Sequence, residues 1–97
     1  MKVTGEAMAD LSSLPFEPVY VVTRIGRQSN VTSVSEAAEF LIGDDWPKHG
    51  RGEAYMTAMQ VCYSALATTG DVEAARTAFV EAAKVAGIFV KEGDGRR

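Results

Sequence analysis

Two helical patterns separated by about three residues constrain this chain more than any other feature. From about residue 53 to residue 68, Tyr55, Ala58, Cys62, Ala65 and Leu66 fall along one side, and Met59 and Val61 widen it. Glu53, Thr57, Gln60, Ser64 and Thr68 form the opposite stripe, so the segment reads as an amphipathic helix. Gly70 interrupts it. Asp71 then stands where an N-cap is wanted, and Glu73 puts a negative charge into the first turn of a second helix. There Val72, Ala75, Phe79, Ala82 and Ala86 repeat on one face, with Glu73, Arg76, Thr77, Glu81 and Lys84 on the other, until Gly87. A connection this short leaves two long helices only one arrangement, as antiparallel neighbours. Ala58 and Ala65 against Ala75 and Ala82 would let the axes approach toward the short end of the roughly 8–10 Å range.

The segments on either side complete the architecture. VYVVTR (19–24) is β-branched and aromatic, with Pro15 and Pro18 suited only to a strand's start or edge. Gly26, Arg27 and Gln28 supply a turn, and SNVT (29–32) returns as a second strand, giving an antiparallel hairpin. Ser33-Val34-Ser35-Glu36 then fits a capping box, with Ser33 accepting from the Glu36 amide and Glu36 reaching back. Val34, Ala37, Ala38 and Leu41 form one face of a short helix, which Gly43 is expected to stop in a left-handed conformation. After the last helix, Ile88-Phe89-Val90 offers a third strand to the hairpin. The order is β-β-α-α-α-(β), an α+β domain with helices over one face of a small sheet. Residues 1–15 lack periodicity and read as a flexible arm, 16–91 as a single domain, and 92–97 as a frayed tail.

Composition narrows the function classes. Ninety-seven residues hold one core, and a chain of this size buries only about 60–65% of its unfolded surface. A net charge of −3 supplies no global positive field to recruit nucleic acid, so that partner is disfavoured. The single cysteine, Cys62, excludes an intramolecular disulfide and a cysteine-based zinc site. A lone thiol fits a reducing cytoplasm, and the first residues contain no continuous apolar run of a signal peptide. No apolar stretch approaches the roughly 18 residues that span a bilayer, so no membrane partner is expected.

Glu36-Ala37-Ala38 with Phe40-Leu41, then Trp46-Pro47, then Arg51-Gly52 followed by Ala54-Tyr55 stand in a specific order and spacing. In these pieces the chain resembles a known family, the small bacterial proteins catalogued as domain of unknown function 982. Ala58, Cys62, Ala65-Leu66, Ala75-Arg76, Ala78-Phe79, Ala82-Ala83 and Ala86-Gly87-Ile88 continue the resemblance. Relatives of this type often have Pro after the Arg-Gly pair, where this chain has Glu53; both suit a helix N-terminus. The resemblance implies an α+β domain and brings no catalytic residue with it.

Rare residues gather in GDDWPKHGRGEAY (43–55), which holds the only Trp, Trp46, and the only His, His49. Catalysis finds little there: His49 has no Ser or Cys close in sequence, and Cys62 lies on an apolar face that raises a thiol's pKa. Asp44, Asp45 and His49 match no ligand spacing, so no metal or other cofactor is expected. Lys48, His49 and Arg51 stand where free amides open the next helix, which makes them a candidate anion site; the alternative is a solvated connector. Trp46 is expected to fold back as a lid on the core, and otherwise to face a partner. Met56 and Tyr63, one heptad apart, and Val80 on the next helix make a candidate uncharged interaction surface, unless they complete the core beneath the sheet. The expected function is therefore a non-enzymatic protein-interaction or regulatory module, with a homodimer as one form. The alternative is an anion, phosphate or nucleic-acid module built on Lys48, His49 and Arg51.

Overall fold

In a computed structural model, residues 14–93 are described. The expected arm falls mostly outside them, at 1–13, as do tail residues 94–97. Strand β1 (Pro15–Val22) turns through residues 23–27 into β2 (Gln28–Ser33), and helix α1 (Val34–Ile42) follows directly. A 3-10 turn (Lys48–Gly50) leads into α2 (Glu53–Ser64), whose last turn (Ala65–Thr69) is a π turn. Helix α3 (Val72–Ala86) and strand β3 (Phe89–Glu92) complete the domain. The sheet order is β2-β1-β3, antiparallel throughout, so the C-terminal segment is indeed a third strand.

β1 is thus the central strand, although it contains two prolines. It tolerates Pro18 because the β1–β2 register shifts between Pro15 and Val19, and a shifted residue does not need its missing donor. The Pro18 carbonyl still accepts from the Gly93 amide at 2.8 Å. Gly26 closes the hairpin turn at φ +86, a conformation that L side chains resist.

The capping residues act much as their spacing implies. Ser33 Oγ accepts from the Glu36 amide at 3.1 Å, and the Glu36 carboxylate reaches back to the Thr32 amide at 2.8 Å, one residue beyond the usual capping box. Asp71 accepts from the Ala74 amide at 3.1 Å, and Gly70 and Gly87 end their helices at φ +65 and +78. Gly43 departs from expectation: it leaves α1 in an extended conformation, φ −83. Its carbonyl instead accepts from the Arg51 guanidinium, so a cation from the next connection satisfies this helix end.

The helices cover one face of the sheet. Val19, Val21 and Val31 meet Val34, Ala37 and Leu41 of α1 and Phe79, Ala82 and Ala83 of α3 in one buried cluster. Ala58, Cys62 and Ala65 of α2 join it from the outer side, against α3.

Candidate functional site

The connection between α1 and α2 is built around Trp46. Pro47 holds the chain extended, and the indole turns inward, 1% exposed. It lies against Phe40, Tyr55 and Phe79 with ring centroids at 6.0, 5.7 and 5.8 Å, and its Nε1 donates to the Gly50 carbonyl at 2.9 Å. Trp46 is therefore the lid on the core, which corrects its candidacy as a partner-facing residue: an indole without exposed surface cannot touch a partner.

The three basic residues of this connection do not converge. Arg51 Nη2 donates to the Gly43 carbonyl at 2.9 Å and the Trp46 carbonyl at 3.1 Å, while its guanidinium stacks 5.5 Å above the Tyr55 ring. His49 Nε2 lies 3.2 Å from the Ala86 carbonyl and so donates to the C-terminal end of α3, where the dipole favours a donor. Lys48 is exposed. A groove of about 410 Å³ beside His49 is lined by Thr23, Arg24, Asp45 and Ile88. Asp45 accepts from the Arg24 amide at 3.3 Å and ties this loop to the hairpin. Asp45 and the C-terminal end of α3 oppose an anion in this groove, and Arg24 is the cation on its wall. Near the mouth of α2, Lys48 is exposed, Arg51 is already bound to carbonyls, and Glu53 puts a carboxylate into the first turn.

Cys62 is fully buried on α2, and burial pushes its thiol up to about 11. It is a packing residue without thiolate character at neutral pH. Among the described residues, no three His, Cys, Asp or Glu side chains are grouped to hold a metal ion, and no helix is long and apolar enough to cross a membrane.

The uncharged surface is divided by the structure. Met56 and Tyr63 are 56% and 45% exposed on α2, as their spacing suggests. Val80 is 6% exposed, a correction with a clear cause. Helix α3 packs against α2 on one side and against the sheet on another. Arg76, one turn before Val80 on the same side, donates to the Glu17 carbonyl of β1 at 3.0 Å and pairs with Glu92 of β3 at 2.6 Å. Val80 therefore sits beneath the sheet, a position that periodicity toward α2 alone does not reveal. What remains is a wider feature on α2. Its outward positions Met56, Thr57, Gln60, Tyr63, Ser64 and Ala67 are all exposed, and residues 54–70 contain no charged side chain. The outer face of α3, in contrast, carries Glu73, Glu81 and Lys84. The absence of charge from 54 to 70 is visible in the sequence, but only the structure shows that so much of that segment faces solvent. The other large exposed apolar residues, Ile25, Ile42, Val85 and Val90, are distributed over four different elements.

Neither curated proteins nor solved structures yielded a match. A family model does match, over residues 17–90, which spans the sheet, all three helices and the Trp46 connection. The chain belongs to the family described as Protein of unknown function (DUF982).

Proposed function

We propose that this protein is a non-enzymatic interaction or regulatory module, and that the charge-free outer face of α2 is where it meets another protein. One observation carries this reading. A solvent-facing helix of a soluble domain is normally dotted with Lys and Glu, whereas the exposed positions from Met56 to Ala67 carry none. Depletion of charge together with Met and Tyr is the compositional mark of an interface core. Met56 and Tyr63 anchor that face, and the neighbouring Gln60, Ser64 and Ala67 add adaptable or small contacts. A buried Cys62 with its thiol protonated and the solvated connector at Lys48 give no support to chemistry or to anion capture. A lone free thiol supports a reducing, cytoplasmic setting.

The test compares the intact protein with Tyr63→Glu and with Val85→Glu, which alters a still more exposed apolar residue on α3. Wild type and Val85→Glu, immobilised, retain a second copy or another protein from cell extract. Tyr63→Glu lowers that retention by at least about tenfold, because a carboxylate would have to be desolvated at the centre of the contact. Equal retention by all three proteins refutes the assignment of this face.

A further inference from the structure

Resting on that reading, we propose that the occupant of the α2 face is a second copy of this chain, docked antiparallel about a two-fold axis so that Gln60 of each copy meets Tyr63 of the other. Met56, Gln60, Tyr63 and Ala67 are spaced by four, three and four residues and are all exposed. That spacing makes a seam in which side chains of one helix enter gaps of another. In an antiparallel self-pairing, the layers become Met56 against Ala67 of the second copy and Gln60 against its Tyr63, each repeated once by the symmetry. A two-fold contact requires this self-complementarity of a single patch. Here the long Met56 faces the small Ala67, and the Gln60 amide can donate to the Tyr63 hydroxyl, so neither polar group loses its partners on leaving water.

Charge points to the same occupant. Both copies carry −3, and two acidic molecules approach with least opposition where neither presents a charge. A face without charge also gives no sign for a charged partner to complement. The seam spans roughly 16 Å at a rise of about 1.5 Å per residue. A seam this short makes a small interface, under about 1,200 Å² in total, the size class of weak, reversible contacts. The dimer therefore exchanges rapidly and forms at high protein concentration.

The experiment mixes Gln60→Cys and Tyr63→Cys proteins in equal amounts at high concentration with oxidised glutathione. Both positions are exposed, and the native Cys62 is fully buried, so wild type alone gives no linked dimer. Expected is a mixed disulfide between the two variants in excess of the statistical share over either homodisulfide. Predominant homodisulfides would overturn the antiparallel arrangement, since a parallel seam places like positions together. No linked dimer, with Tyr63→Glu still releasing a different retained protein, would overturn the second copy as occupant while the α2 face itself stands. No linked dimer and no effect of Tyr63→Glu on any retention would overturn both.

Discussion

Among the described glycines, Gly50 has the least room for a side chain, because it lies against the end of α3, and one methyl group tests that contact. A Cβ placed on Gly50 would overlap the Cβ of Ala86, with Ala86 Cα at 3.0 Å and Trp46 Nε1 at 3.3 Å. The main obstacle is the Ala86 Cβ, held rigidly on its helix, with a locked indole beside it and no flexible side-chain end to give way, so the 3-10 turn itself must move. Moving it also stretches the Trp46 Nε1 bond to the Gly50 carbonyl, now 2.9 Å. Overpacking of this kind costs about 1–3 kcal/mol, and a weakened buried hydrogen bond adds about 1. Gly50→Ala is therefore expected to lower stability by about 2–4 kcal/mol, a large part of the roughly 5–10 kcal/mol available to such a domain. At about 4–8 °C per kcal/mol the midpoint falls by at least about 8 °C. Gly52→Ala is the control, because nothing lies within 4 Å of its Cβ and its φ is −95. Ala86→Gly on its own costs up to about 1 kcal/mol through helix propensity. Added to Gly50→Ala it opens the space again, so the double variant should be more stable than Gly50→Ala alone. Urea melts followed by Trp46 fluorescence read wild type and all four variants. Refutation would be Gly50→Ala lying within about 0.5 kcal/mol of wild type, or Ala86→Gly failing to rescue it.

Two further outcomes follow from buried and capping groups. The Cys62 thiol rises from 9.0 to about 11 by desolvation, so the folded state holds its proton where the unfolded state has lost it. Its contribution is complete below pH 9 and is lost as pH rises toward 11, about 3 kcal/mol in all. Wild type should therefore lose stability relative to Cys62→Ala across that window, and parallel pH profiles would contradict the burial argument. Arg51→Ala removes the guanidinium bond that closes the end of α1 at Gly43 and the one to the Trp46 carbonyl in the connection, and should cost about 1–2 kcal/mol by urea denaturation, discounted for the exposure of the side chain. Arg51→Lys should recover less than half of that, because an ammonium lacks the planar guanidinium that lies over the Tyr55 ring while one of its nitrogens donates to both carbonyls; full recovery would show that charge alone matters there.

Local chemistry was legible where it acts over a few residues. Ser33, Glu36, Asp71, Gly70 and Gly87 bound their helices as their types require, because a cap is satisfied within one turn. The hairpin and the third strand were legible from β-branched runs and turn residues. Gly43 was not, since its role depends on Arg51, eight residues away and folded back over the loop. The candidate surface was read in part: Met56 and Tyr63 are exposed, Trp46 and Val80 are not. A helical period shows which residues share a face, but not how many faces find a neighbour.

The sequence by itself determined the order of elements, their caps and the antiparallel pairing of the two long helices, because periodicity and connection length act locally. Only the tertiary structure decided which surface is left free. Val80 disappears under β1 and β3, and Arg51 and His49 are drawn to the carbonyls of two helix ends. The outer face of α2 remains uncovered because its neighbours, α1 and α3, lie on its other side. Burial is a property of what arrives from elsewhere in the chain, and that is settled by packing and not by any single segment.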